Sequence, residues 1–501
     1  MTTAMEQVKN VPIATELAKN VAYINELLGV EVSWDLVAKS FRFGNIEMMS
    51  YAANGFFLTM NMVMILENLE KSIETFVHTC GDEAFTLHQL VEYLNTHVAF
   101  VQVQPVQTMY DAIRLILSGP LVTFIDGYDH ALVIDTRIYP MRGISEPQVE
   151  RVVRGPRDGF TETMLMNTSL IRRRLRDPRL RVELMQVGER SQTDISLIYL
   201  QDVTSDEIVN DVRTELKNIS VDALAMGEQA ITELIGHVRW NPYPIVRYTE
   251  RPDVAATALI EGQVLIVVDT TPEVIIAPTS FFQHLQHPQE YHSYPLVGTY
   301  MRWVILLAVF SSIFLSGVFL TMNAYPQWIP KSMKFFIAAK SDPLPLWVEL
   351  LVSEIALDIL RLAVINTPTA LASSVGIIAA LLFGQYSVTI GLLQPEVLVY
   401  MGFVMVAELA TSSYELGTAN QMARLWIIVW SGLFRGPGFL IASTAWLVLL
   451  LRTRSFGVPY LWPLIPFRWN NGMKQVLWRS PTANIVGRPS ILAPKLRRRR
   501  G

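Results

Sequence analysis

Hydrophobic positions along this chain fall into two regimes. Before about residue 302 they come in short runs, alternating with polar residues or recurring at helical spacing; beyond it the runs are long and sparsely charged. Residues 1–115 read as mixed α/β with a helical bias. The apolar stretch 51–66 holds two Asn and a Gly and falls short of the ~20 residues of a membrane span, so it predicts a buried helix of a soluble core. Leu121–Ile125 and residues 131–138 alternate like strands about Asp126-Gly127-Tyr128-Asp129, a turn of hairpin type. Helices are then expected over 161–176 and 205–219, and strands over 181–187, 195–199, 263–268 and Val274–Ala277.

From Trp303 the chemistry changes. Residues 303–322 carry no charge and are long enough to cross ~30 Å of hydrocarbon, with Trp303 at one end and Tyr325 and Trp328 at the other, where an aromatic belt places them. Further spans are expected at about 344–365, 369–392, 396–411 and 425–451. The last contains Arg435-Gly436-Pro437-Gly438, and one kinked span is preferred there over a hairpin, because each half is short. The expected fold is an α/β cytoplasmic region of two subdomains followed by an all-α membrane helix bundle of about five spans. Its parts are an N-terminal subdomain over 1–118, a second over 119–300, the bundle over 301–456 and a basic tail over 457–501.

Charge divides the chain at the same place. Residues 1–302 hold 24 Lys+Arg against 38 Asp+Glu, and residues 303–501 hold 17 against 7. Basic residues are not gathered on a soluble surface, so no nucleic acid is expected as a partner. One cysteine, Cys80, excludes an intrachain disulfide and cysteine-based metal spacings. Residues 1–11 lack the apolar core of a signal peptide, which keeps the soluble region cytoplasmic. The basic tail, ending in Lys495 and Arg497 to Arg500, is also drawn to the cytoplasm. Five spans cannot put both ends on one side, so the span count and the charge rule conflict. No GxSxG, HExxH, Walker A or complete GxGxxG occurs, and neither enzyme activity nor a cofactor is expected.

The second span holds the candidate chemistry: Glu349, Glu354, Asp358 and Arg361, the last three at i, i+4 and i+7 on one helical face. Glu408 adds a carboxylate in the fourth span. Charges at bilayer depth cost at least ~2.5–3.5 kcal/mol each on insertion scales and so face a partner or water. Two readings stay open: an ion pair of Glu354 or Asp358 with Arg361 that ties the bundle together, and an acidic face lining an ion pathway. In the soluble region Arg154, Arg157 and Asp158 precede a helix with Arg172, Arg173 and Arg174. Consecutive arginines point around a helix, which favours a subunit or interdomain contact over an anion site. His284, His287, Glu290 and His292 cluster before the first span, but Pro288 breaks their spacing, so a juxtamembrane collar is expected and no metal.

Five strings carry a resemblance: RGPRDGFTETMLMNTSLIRRRLRDPRL (154–180), NPYPIVRYTERPD (241–253), INTPTALASSVGIIAALLFG (365–384), SYELGTANQMARL (413–425) and VPYLWPLIPF (458–467). In this order they resemble the A-subunit family of spore germination receptors, the GerA type, nearest its stage V sporulation AF branch. The resemblance implies a multi-pass protein of the inner spore membrane with a two-part cytoplasmic N-terminal region. It also implies a homo-oligomer around a pore for monovalent cations, with a B-type membrane protein as partner, and a charged second span at Glu354, Asp358 and Arg361. A non-conducting receptor scaffold and a nutrient receptor A subunit remain the alternatives. A secondary transporter would require inverted repeats, for which Pro395 and the Gly-Pro-Gly are the sole support.

Overall fold

The computed structural model describes residues 8, 10–43, 46–57, 59–80, 86–97, 103–137, 147, 150–224, 226–236, 240–338, 344–367, 376–378, 380–481, 484 and 487–498. The chain forms two compact units. The first comprises Met1–His237, Tyr248–Pro278 and Ala483–Gly501; the second comprises Val238–Arg247 and Thr279–Thr482.

The first unit is built from two lobes with one plan. In the first lobe α1 (Leu17–Leu28) precedes β1 (Leu36–Phe43) and β2 (Ile46–Ala53), then come α2 (Thr59–Cys80), α3 (Leu87–His97), β3 (Val103–Val106), α4 (Met109–Ile116), β4 (Leu121–Ile125) and β5 (Ala131–Ile134). The second lobe repeats the order with α5 (Met164–Arg174), β6 (Leu180–Val187), β7 (Thr193–Leu200), α6 (Asp206–Lys217), α7 (Gly227–Gly236), β8 (Arg247–Thr249), α8 (Pro252–Glu261), β9 (Val264–Val268) and β10 (Val274–Ala277). The two sheets, β1-β2-β4-β5-β3 and β6-β7-β9-β10-β8, share one strand order. β4, β5, β9 and β10 are buried along their whole lengths, as continuous apolar runs require when both faces are covered.

Two sequence expectations fail here. The run 51–66 is the end of a strand joined to the start of a helix: β2 pairs with β4, Ser50 bonds Thr123 across them at 2.6 Å, and Gly55 at φ 82 makes the turn. The boundary at 118/119 cuts through the first sheet, because the hairpin β4–β5 pairs with β2 and β3 and so completes the first lobe. The lobes are fastened by a buried pair in which Arg172 of α5 donates to both Asp35 oxygens at 2.6 and 2.8 Å. Arg181 donates to the Leu28 and Leu27 carbonyls at 2.8 and 3.1 Å, which caps the end of α1.

The basic tail over 457–501 is divided. Its last part lies on the second lobe, where Lys495 donates from its backbone to Val203 O at 3.0 Å and from Nζ to Asp206 at 2.6 Å. Arg488 adds a bond to Ile260 O at 2.7 Å.

The second unit is helical. α9 (Pro295–Ala324), α10 (Leu346–Asn366), α11 (Pro395–Leu409) and α12 (Tyr414–Arg452) form its bundle. α9 and α11 both open with proline, whose missing N–H suits a first turn. Among the described residues, α9 and α12 are long and apolar enough to cross a membrane; the expected five spans are not reproduced. Most of the first half of the expected span over 369–392 lies outside the described residues, and residues 380–386 and Ser387–Thr389 are helical.

α12 is not one kinked rod. Arg435 alone breaks its helical backbone, at φ 54 and ψ −135. Tyr243 Oη lies 3.3 Å from Asn420 Oδ1 and also accepts a hydrogen bond from Trp446 Nε1, although a continuous helix would hold residues 420 and 446 about 39 Å apart. A Cβ built on Gly317 of α9 would meet both Ile427 and Phe439. The chain therefore reverses at Arg435 into two antiparallel arms, 414–434 and 436–452. Gly438 packs so closely on the Trp430 carbonyl that a Cβ would overlap it.

Candidate functional site

Four helices converge on one guanidinium. Arg424, in the first arm of α12, is almost fully buried. It donates from Nε to Glu354 Oε2 of α10 at 3.0 Å and from Nη1 to the Ser312 carbonyl of α9 at 2.8 Å. Its Nη2 reaches Glu408 Oε2 of α11 at 2.8 Å and also contacts Glu354 Oε1. Arg361 of α10 takes the other Glu408 oxygen at 2.7 Å. Each arginine thus bridges a carboxylate from a different helix, in a medium where an unpaired charge would be expensive.

The intrahelical pairing expected for Arg361 is replaced by these bonds between helices. Asp358 takes its hydrogen bonds from Gln421 Nε2, at 2.7 and 2.6 Å, and that nitrogen also faces Glu354 Oε1 at 3.0 Å. One amide has two hydrogens for these three oxygens. With Glu354, Asp358 and Glu408 against Arg361 and Arg424, the cluster holds one more carboxylate than guanidinium. Asp358 is the group that neither arginine pairs with directly, although the charge of Arg361 acts on it from one turn away, and it is half-buried. Glu349 lies on another face of α10, is fully buried and accepts from Gln394 N at 2.9 Å and Gln394 Nε2 at 3.3 Å, which ties α10 to the start of α11.

Arg424, Gln421 and Gln394 were missed from the sequence. Cutting the last span at residue 425 leaves Arg424 outside the apolar run, although it stands three turns inside a helix that begins after the N-cap Ser413. The signal was present: an arginine abutting an apolar run, in a bundle whose other segments hold unpaired carboxylates.

The remaining candidates separate. Arg172 joins the lobes of the first unit, Arg174 donates to Asp158 within the second lobe at 2.5 Å, and Arg154, Arg157 and Arg173 are exposed. The four residues of the histidine cluster do not converge, and among the described residues no group of three metal-ligating side chains is found. His287 accepts from Gln289 N at 3.1 Å, while Glu290 pairs with Arg302 at the foot of α9 at 2.6 Å. Burial pushes the Glu290 carboxyl up against the pull of that arginine. His284 is completely buried, and burial, helped by Arg247, lowers its pKa to about 3.

The family model for the Bacillus/Clostridium GerA spore germination protein matches residues 22–491. Stage V sporulation protein AF of Bacillus subtilis (strain 168) is 38% identical over 482 residues, covering 96% of this chain and 96% of that protein. Spore germination protein KA of the same organism is 31% identical over 99% of this chain and 90% of its own. The N-terminal domain of the A subunit of the Bacillus megaterium spore germinant receptor GerK3, a crystal structure, is 26% identical; the match covers 54% of this chain and 97% of that one, at a TM-score of 0.42.

Proposed function

The chain belongs to the GerA family of membrane spore germination proteins, and on that premise we propose that it is a multi-pass subunit of a germination complex in the inner membrane of the bacterial spore. In this reading it assembles with copies of itself and a B-type membrane partner into a conduit for monovalent cations, with the first unit on the cytoplasmic side. One observation carries the conducting role: Asp358, at bilayer depth, is served by a single shared amide while the neighbouring arginines are committed to Glu354 and Glu408. A carboxylate that no arginine pairs with directly, in a cluster with one more carboxylate than guanidinium, attracts a cation in a low-dielectric bundle.

The second reading, a non-conducting scaffold or nutrient receptor A subunit, is favoured by Arg424 itself. A guanidinium bonded to three other helices is a fastening, and a fastening needs no ion.

Potassium flux from liposomes holding the assembled protein with its B-type partner separates the two. Conduction predicts flux that falls several-fold, or loses potassium over sodium preference, in Asp358→Asn. Unchanged flux in both Asp358→Asn and Glu354→Gln would remove these residues from the pathway. No flux from a well-formed oligomer with its partner present would favour the scaffold.

A further inference from the structure

Beyond the helix bundle, the second unit exposes a dense group of large apolar side chains. In the segment after α12, Leu464, Ile465, Phe467, Trp469 and Trp478 are all exposed, Phe467 to 62%. They are not scattered. Phe467 lies beside Trp469 with ring centroids 6.3 Å apart, Trp469 meets Trp478 at 6.1 Å, and Trp478 meets Trp303 of α9 at 6.2 Å.

Trp303 fixes the level of this platform, because it is the first residue of the charge-free run of α9. Among the exposed residues of that helix, Leu296, Tyr300, Trp303, Leu307 and Phe310 recur at i, i+4, i+7, i+11 and i+14. They make one stripe that climbs from the foot of the helix into the apolar run. The platform is continuous with that stripe.

It is also held there firmly. Arg302 pairs with Glu290 and donates to the Gln475 carbonyl, while Arg479 donates to the carbonyls of Ser293 and of Tyr291, the latter at 2.8 Å. An exposed apolar surface of this size, fixed by buried charges, is a feature that needs a partner. Exposed Arg468 and Lys474 flank the aromatic rings.

We propose that residues 464–478 are seated in the interfacial layer of the bilayer, with Phe467, Trp469 and Trp478 at the boundary between headgroups and acyl chains and Arg468 and Lys474 on anionic lipid headgroups. Aromatic rings favour that layer and cations beside it gain from anionic lipid. The segment does not span; it lies on the membrane at the foot of α9 and anchors the chain there after its last helix. This rests on the reading that α9 crosses the bilayer.

The single cysteine makes the test direct. In a Cys80→Ser background, nitroxide labels are placed at Ile465→Cys or Trp469→Cys, at Leu307→Cys on the stripe, and at Arg190→Cys on the exposed loop of the second lobe. The full chain is reconstituted in phosphatidylcholine–phosphatidylglycerol bilayers, and collisions with oxygen and with a water-soluble nickel chelate report depth. The expected order is Leu307 deepest, positions 465 and 469 at the interface with nickel accessibility several-fold below that of Arg190, and Arg190 in water. Loss of the Arg468→Gln, Lys474→Gln pair should shift the 469 label toward water. Nickel accessibility at 465 and 469 equal to that at 190, with 307 still deep, overturns the proposal and leaves the spanning helix intact. Shielding from both relaxants would show that protein covers the platform, which also overturns it. Water at position 307 would instead overturn the membrane reading of α9.

Discussion

Arg424 shows what a single side chain decides in this bundle. It satisfies Glu354, half of Glu408 and a helix carbonyl at once, so its removal leaves Glu354 buried without an arginine and Glu408 with Arg361 alone. Arg424→Leu is expected to cost about 3–5 kcal/mol, seen as a large fall in detergent melting temperature, whereas the triple change with Glu354→Gln and Glu408→Gln should recover much of it. Failure of the neutralised triple variant to recover would show that the arginine acts by shape and not by charge. His284 gives a second test. Its pKa is near 3 when folded and near 6.5 when unfolded, so the unfolded chain takes up a proton first as the pH falls. The folded state therefore loses stability between pH 6.5 and 3, by about 2–3 kcal/mol over the first two pH units. His284→Phe keeps a ring against Tyr460 and should flatten the dependence of melting temperature on pH in that window. Equal slopes for wild type and variant would assign the acid sensitivity elsewhere. The carboxylates of this site were legible because charge in an apolar run is conspicuous. Their partners were not, because helical spacing reports one helix at a time: Asp358 and Arg361 share a face, yet Arg361 is claimed by Glu408.

Elements were legible where hydrophobic period and length agreed, and were lost where one apolar run served two elements. Strand β2 and helix α2 merge in the run 51–66 because the turn signal between them, Asn54 and Gly55, reads in sequence as a polar interruption of one helix. In α12 the error ran the other way. Counting from residue 425 made each half look short, but the first arm begins at Tyr414 with polar residues, Asn420, Gln421 and Arg424, that face the bundle and not lipid. Its arms then measure about 31 and 25 Å at ~1.5 Å per residue, within the range of membrane helices. The reversal depends on small residues at contact points. Gly438→Ala places a methyl on the Trp430 carbonyl and should cost about 1–3 kcal/mol. Gly402→Ala in α11, where nothing lies within 4 Å of the added atom, should be neutral or gain up to about 1 kcal/mol from helix propensity. Melting of the two variants side by side checks this, and equal losses would mean that the Gly438 contact does not define the hairpin.

At the scale of the whole chain, the reversal at Arg435 bears on the conflict between span count and charge, and we propose a topology that removes it. Pro278 and Ala483 both belong to the first unit, so on the proposal that this unit lies wholly on one side, the segments between them cross the membrane an even number of times. Lys495 and Arg488 show why the return is not incidental, since they bond to Val203, Asp206 and Ile260 of the second lobe. On the proposed reading that the bundle spans the membrane, a fifth segment that crosses and comes back would supply the missing passage, and six crossings would place both ends on one side, in keeping with the basic tail. The repeat of the two lobes could not be read from residue patterns in the same way, because two sheets of one strand order need share spacing of elements and not sequence. The topology predicts labelling by a membrane-impermeant maleimide in a Cys80→Ser background. Arg190→Cys and Ser490→Cys should react from the same face in sealed, uniformly oriented vesicles, and Arg435→Cys from the opposite face alone. A single kinked span would bury position 435 from both faces and separate 190 from 490. Either result there would return the chain to five crossings and force the tail off the second lobe, so melting of Lys495→Ala, expected to be slightly destabilised through the first unit, is the internal control. A label at position 435 on the far side, with 190 and 490 together, would place the Gly-Pro-Gly turn at the face of the membrane opposite the first unit.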